Sequence, residues 1–234
     1  MQYLVKLPPF NTKHLRHLIS RIRPVTGRSK GKIVLRHRSG FQKLLYRFID
    51  YKRSLPLESK GLVLRHAYLP RIGERLTLVL YLDGVFLNIL KPAKITVGSF
   101  IENMSTEPKI PGDSGPLCYM PTGSALHNIS LRPLGPGIIT RGSGCSSVLI
   151  RIDRGASFVK LKSGEIRLFD ERNTATLGTL GNEGKFLLEI GKAGKSRHLG
   201  RRPITRAYAM NPVTIPWEAE LKVGHNHYLL KDAF

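Results

Sequence analysis

Residues 76–91, LTLVLYLDGVFLNILK, decide the fold of this chain. Two apolar runs flank Asp83-Gly84, a pair that readily supplies the positive φ angles of a tight type I′ turn, so the stretch predicts a β-hairpin. Working back towards the amino end, KIVLRHRSGFQKLLYRFIDYKR alternates in two halves around Ser39-Gly40. Ile33 and Leu35 fall on one face and Val34 and Arg36 on the other. Leu45, Arg47 and Ile49 oppose Tyr46, Phe48 and Asp50, and the spacing predicts a second hairpin rather than a helix.

Working forward, glycine and proline cluster in IPGDSGPLCYMP, residues 110–121, the best candidate for a boundary between two units. HNISLRP, SVLIRID, SFVKLKSGEIRLFD and KFLLEIG then read as short strands at nearly regular spacing, with Ser163-Gly164 closing another two-residue hairpin. After Gly191 the alternation gives way to glycine, proline and cations. The chain therefore predicts an all-β protein of two small barrels with irregular basic extensions. The expected divisions are a basic arm at 1–30, β units at 31–110 and 111–190, and a carboxyl-terminal extension at 191–234.

At 41% hydrophobic residues the 234-residue chain can build real cores, but it carries a formal charge of +22. Self-repulsion at that density weakens a compact state unless a polyanion neutralises it. No run reaches the length of a membrane-spanning helix, and the charge is dispersed along the chain, so nucleic acid is favoured over a membrane surface. MQYLVKLPPFNTKHLRHLISRIRPVTGRSKGK shares the Arg-rich, acid-free composition of a mitochondrial transit peptide. Its scarcity of Ser and its Pro8, Pro9 and Pro24 favour instead an arm lying along phosphates.

Catalytic and metal chemistry find little support. Cys118 and Cys145 form no CxxC and have no histidines at zinc spacing. His14 and His17, and His225 and His227, lack further ligands at useful spacing. His127 reads as a strand-end hydrogen-bonding residue. Asp113-Ser114-Gly115 reads as a turn, without a G-x-S-x-G elbow, and no phosphate-binding loop is present. Neither a metal nor a cofactor is expected, apart from Mg2+ held through RNA. The cationic stretches are more informative. Arg36, His37 and Arg38, with Lys43, Arg47, Lys52 and Arg53, suit phosphate contacts, and His37 between two arginines is able to stack or hydrogen bond. GKAGKSRHLGRRPITRAYAMNPV, residues 191–213, holds six Lys and Arg and no acid. Its glycines allow close backbone approach and its arginines suit phosphate forks, so it reads as a segment that orders on RNA.

GKIVLRHRSGFQKLLYRFIDYKR, HNISLRPLGPGIITRGSG, VKLKSGEIRLF and GKAGKSRHLGRRPITRAYAMNPV, in this order, together resemble the universal large-subunit ribosomal protein family L2 from Gly31 to Val213. The resemblance implies an OB-fold barrel followed by an SH3-like barrel. It further implies a non-catalytic protein that binds ribosomal RNA near the peptidyl transferase region and supports assembly and subunit joining. Its partners would be large-subunit rRNA, neighbouring ribosomal proteins and the small subunit at a bridge. By position, Arg36, His37, Arg38, Lys43, Tyr46, Arg47, Lys52 and Arg53 match the family's first basic motif. Lys192, Lys195, Arg197, Gly200, Arg202, Pro203, Arg206, Met210, Asn211 and Pro212 match the second, and His198 and Arg201 lie among them.

The departures are informative too. Where the family continues MNPV with D-H-P-H-G-G-G, this chain has Thr214, Ile215, Pro216, Trp217, Glu218, Ala219 and Glu220, so both histidines are missing. Leu44 and Leu45 replace usually basic positions. This drift points to an organellar ribosome, in the mitochondrial matrix, with a chloroplast or bacterial ribosome as the alternative. Two other classes compete: a free-standing basic β-barrel that binds single-stranded nucleic acid, and an RNA-acting enzyme using Ser114, Cys145 or the terminal histidines.

Overall fold

The structure is a computed structural model that describes residues 12–22, 26–40, 42–53, 59–69 and 73–204. These residues divide into two compact units: one holds 12–22 and 43–190, the other 26–42 and 191–204. The described secondary structure is mostly β. A 3-10 turn, Thr12–Leu18, leads into strand β1 (Ile19–Arg21), followed by β2 (Arg28–Ser29), β3 (Lys32–Ile33) and β4 (Leu45–Arg47). Four longer strands then form an antiparallel sheet: β5 (Ser59–Leu69), β6 (Glu74–Tyr81), β7 (Phe86–Leu90) and β8 (Phe100–Asn103), in the order β7-β6-β5-β8.

Strand β6 is buried on both faces, which explains why its sequence is almost continuously apolar. Val79 and Tyr81 join Val63, Ile89 and Ile101 in one core, while Leu78 on the opposite face packs against Leu15 and Leu18. Residues 12–22 are thus anchored by apolar side chains, where the sequence suggested only a basic arm. The β6–β7 hairpin forms as expected, with Leu80 opposite Phe86. Its loop differs from the expected type I′ turn. Only Gly84 takes a positive φ, 75°, and Gly84 N–H donates to the Tyr81 carbonyl while Tyr81 N–H donates to that of Val85. The loop has three residues and ends in a glycine bulge. The turn at Gly164 repeats this pattern, with Leu161 N–H donating to the Glu165 carbonyl.

The hairpin expected around Ser39-Gly40 does not form. Leu45–Arg47 pairs instead with Ile19–Arg21, residues that Leu15 and Leu18 have already fixed on the sheet. Ile33, Val34 and Leu35 stay exposed.

The second β half comprises β9 (Ser114–Pro116), β10 (Ala125–His127), β11 (Ile129–Ser130), β12 (Gly137–Ile139), β13 (Ser147–Asp153), β14 (Ala156–Lys160), β15 (Ile166–Asp170) and β16 (Thr174–Leu177). Six of these make a sheet in the order β15-β14-β13-β10-β16-β9, while β11 and β12 pair separately. Leu117, Leu126, Ile129, Leu149, Val159, Phe169 and Ala175 are buried in its core. The two-residue turn with both φ angles positive lies at Arg154 (46°) and Gly155 (84°), between Asp153 and its partner Ala156. KFLLEIG is not a strand. Asn182, at φ 63°, sends its side-chain N–H to the Gly73 carbonyl (2.6 Å) and diverts the chain into a 3-10 turn that leaves Phe186 83% exposed.

Main-chain bonds join the two β halves. Ala93 N–H donates to the Thr179 carbonyl and Gly181 N–H to that of Lys91, both at 2.9 Å. His127 is buried at the end of β10, where its Nδ1–H donates to the Gly178 carbonyl (2.7 Å). Burial lowers its pKa to about 4. Asp113 and Ser114 are also buried. The Asp113 carboxylate accepts main-chain N–H bonds from Glu102, Lys109 and Ile110, and the Ser114 hydroxyl donates to Asn103 Oδ1. Ser114 therefore holds two strands together.

Candidate nucleic-acid interface

The described part of the second unit is built from two stretches that lie far apart in the sequence and contain no acidic residue. Residues 26–42 and 191–204 together hold ten lysines and arginines. Neither stretch holds an acid, so among the described residues of the unit this charge has no neutralising partner.

Local chemistry shapes each stretch. Lys30 (φ 48°) and Gly31 (φ 78°) form the two-residue turn between β2 and β3, with Ser29 opposite Lys32. The Gly27 carbonyl then accepts the N–H groups of Val34 (2.9 Å) and Leu35 (3.0 Å), folding the chain back on itself. Glycine is required there: φ is +70°, and a Cβ would come within 2.3 Å of the Leu35 carbonyl oxygen. In the other stretch, residues Ala193–His198 form a one-and-a-half-turn helix, α1, which the irregular sequence pattern did not predict. Gly200 ends it at φ 85°. Gly200 N–H donates to the Arg197 carbonyl (2.9 Å) and Arg201 N–H to that of Ser196 (3.0 Å), the paired bonds of a Schellman motif.

That ending directs Arg201 and Arg202 alongside Arg38. Arg38 and Arg201 form an antiparallel bridge. Ser39 N–H donates to the Gly200 carbonyl (3.0 Å), Arg202 N–H to that of His37 (3.1 Å) and Gln42 N–H to that of His198 (3.2 Å). Main-chain bonds, which no charge repulsion can rotate away, thus hold arginine beside arginine. The result is an open concavity of about 500 Å³ lined by Arg28, Arg36, His37, Arg38, Arg202 and the apolar Ile33, Leu35 and Pro203. Guanidinium groups over exposed aliphatic surface suit a ligand with phosphates and flat or sugar faces. Neither Arg28 nor the apolar lining belongs to the basic motifs, although Arg28 lies in the same acid-free run as Lys30 and Lys32.

Arg36, His37, Arg38, Lys192, Lys195, Arg197, His198, Arg201 and Arg202 are exposed members of this unit. The other first-motif residues belong to the β unit. Lys43 and Lys52 are exposed. Tyr46 is half-buried against Leu69, Leu76 and Leu90 and meets Phe48 edge-on at 5.7 Å. Arg47 bonds the Tyr68 carbonyl through Nη1, and burial, then the neighbouring Arg65, lowers its pKa. Arg53 departs from the expectation altogether. It is 3% exposed, and its guanidinium donates to Asn103 Oδ1 (2.6 Å) and the Gly112 carbonyl (3.0 Å). It is an internal brace, without a face for phosphate. Arg206 and Asn211, like Met210, Pro212 and the histidines His225 and His227, lie outside the described residues. Among the described residues no cluster of His, Cys, Asp or Glu could hold a metal, and no helix is long and apolar enough to cross a membrane.

A mostly β chain whose cations are clamped together without acids has the make-up of an RNA-binding protein. Two family models agree and refine that class: Ribosomal Proteins L2, RNA binding N-terminal domain, matches residues 15–103, and Ribosomal Proteins L2, C-terminal domain, matches residues 110–220. The chain belongs to the ribosomal protein L2 family, and it is an rRNA-binding, non-catalytic structural protein of the large ribosomal subunit. The first match begins within the Thr12–Leu18 turn and the second runs through TIPWEAE, so the likeness extends beyond the motifs quoted above at both ends.

Proposed function

We propose that the concavity of the cationic unit is a principal rRNA contact of this protein, close to the peptidyl transferase region, and that through it the protein supports subunit assembly and joining. The supporting observation is the main-chain clamp that fixes Arg38 and His37 against Arg201 and Arg202. Lys43 and Lys52 add exposed charge from the β unit. We read the span 31–110 as holding an OB-fold barrel, built from its strands after residue 43, and 111–190 as an SH3-like barrel; antiparallel sheets of four and six strands support that reading. TIPWEAE in place of the family's histidines, and Leu44 and Leu45 at usually basic positions, support an organellar, mitochondrial member with no proton-transfer group. Location of the gene in an organellar genome, or fractionation of the protein with mitochondrial ribosomes, tests this part.

Binding of the full chain to large-subunit rRNA fragments across a salt series tests the interface. For about six phosphate contacts on single strands, log K against log salt has a slope near −4. Binding that barely changes with salt would refute the electrostatic reading.

A further inference from the structure

We propose that strand β15 is the docking edge for an extended, basic segment of another protein of the ribosomal subunit, which adds to the six-stranded sheet as a seventh strand. The proposal rests on the ribosomal assignment and names a partner for a surface far in character from the cationic unit.

The hydrogen-bond phase of β15 is set by its ends. Leu161 N–H donates to the Glu165 carbonyl (2.8 Å) and Glu171 N–H to that of Gly155 (3.1 Å). Bonded pairs alternate along an antiparallel ladder. Glu165, Arg167, Phe169 and Glu171 therefore turn their main-chain groups towards β14, and Ile166 and Leu168 turn theirs outward. Among the described residues nothing meets those outward groups. The other edges of the two large sheets are closed. Asp50 N–H donates to the Asn88 carbonyl on β7, Asp113 accepts Glu102 N–H on β8, and on β9 the Ser114 carbonyl is taken by Ser105 N–H while Pro116 has no N–H to offer.

The open edge also presents aliphatic side chains to solvent. Phe169 points into the core, so Ile166 and Leu168 share the solvent face, 56% and 64% exposed. An unpaired main chain beneath exposed aliphatic side chains selects an extended polypeptide by its ladder and by side-chain pairing. Charge selects among polypeptides and against RNA. Residues 165–171, EIRLFDE, carry three acids and one cation in a chain of net charge +22, and Arg167 is already paired with Glu165 at 2.7 Å. A second copy of this chain is disfavoured, because antiparallel self-pairing centred on Leu168 sets Glu165 opposite Glu171 twice. The fitting partner has alternate aliphatic residues to meet Ile166 and Leu168, and Lys or Arg to meet Asp170 and Glu171.

The test places the photoreactive residue p-benzoylphenylalanine at position 166 of the full chain and irradiates the assembled large subunit. A cross-link to one defined protein of the subunit is expected, together with main-chain exchange at Ile166 and Leu168 slowed at least about a hundredfold relative to the free chain. A cross-link to rRNA, a cross-link to a second copy of this chain, or unchanged exchange overturns the proposal. Leu168→Pro removes an outward donor without touching the β14–β15 bonds, and should abolish the cross-link while leaving the salt slope of rRNA binding intact. If that variant fails to fold, Leu168→Lys, which keeps the strand and opposes a basic partner, should do the same. Loss of salt-dependent rRNA binding by the parent chain would count against the ribosomal interface, whereas loss of the protein cross-link alone counts against the strand edge.

Discussion

Arg53 separates two meanings of a basic residue. Its guanidinium donates to Asn103 Oδ1 at 2.6 Å and the Gly112 carbonyl at 3.0 Å, inside a site where Tyr81 and Ser114 also bond Asn103. Hydrogen bonds from a charged donor contribute about 1.5–3 kcal/mol each, and truncation strands buried acceptors. Arg53→Ala is therefore expected to cost about 3–5 kcal/mol, a large share of a total of about 5–15 kcal/mol. Arg53→Lys keeps the charge but loses the fork, and should cost roughly half as much. Urea unfolding monitored by circular dichroism reads the stability, and rRNA binding across a salt series, on the fraction that folds, reads the phosphate contacts. Both variants should keep the parent's salt slope. Arg202→Ala should behave in the opposite way, with unchanged stability and a slope less steep by about 0.7. If Arg53→Ala flattens the slope while leaving the urea midpoint in place, the internal-brace reading is wrong.

Three further perturbations probe other parts of the molecule. His127 has a folded pKa of about 4, below the value of about 6.5 for an unfolded histidine, so the unfolded chain binds more protons between these values. Its contribution is present above pH 6.5 and falls as pH drops to 4, by about 3 kcal/mol in all; His127→Gln should flatten that part of the stability profile. Gly27→Ala puts a side chain at φ +70° against the Leu35 carbonyl, and should speed main-chain exchange at Val34 and Leu35 and weaken rRNA binding without moving the unfolding of the β unit. Gly200→Val forces a branched residue into φ 85°; the expected result is faster exchange at Ser39 and Arg202 and at least about a tenfold loss of rRNA affinity.

How much of this was legible depended on the range of the interactions involved. The 76–91 hairpin was visible because β6 is buried on both faces and announces itself as a continuous apolar run. Its loop is one residue longer than Asp-Gly predicts, since that pair serves both a two-residue turn and a three-residue loop with a terminal glycine bulge. The pairing of Leu45–Arg47 is hidden in the sequence because its partner, Ile19–Arg21, lies in a strongly cationic stretch, which the buried Leu15 and Leu18 anchor. Arg36 and Arg53 looked alike in the basic motif. What distinguishes them is that acceptors on Asn103 and Gly112 are brought to one and not to the other, a fact of folding over a separation of 50 residues or more. Helix α1 is six residues long, too short for a periodic signal.

The cationic unit shows why charge count alone does not define the interface. The number of counterions released on binding follows the number of phosphates neutralised, so it fixes the slope of affinity against salt. The affinity at any one salt concentration also contains the cost of ordering the groups that bind, about 1–2 kcal/mol for each residue whose main chain must be fixed. In this protein that ordering is done in advance by bonds that involve no charge: Gly27 to Val34 and Leu35, Gly200 to Ser39, and His37 to Arg202. Substitutions of the arginines should therefore change the slope, and substitutions of the glycines should lower affinity at every salt concentration while leaving the slope nearly constant. A glycine variant that flattened the slope as much as Arg202→Ala would mean that the clamp determines which cations reach phosphate, and that the arginines are not held ready before RNA arrives.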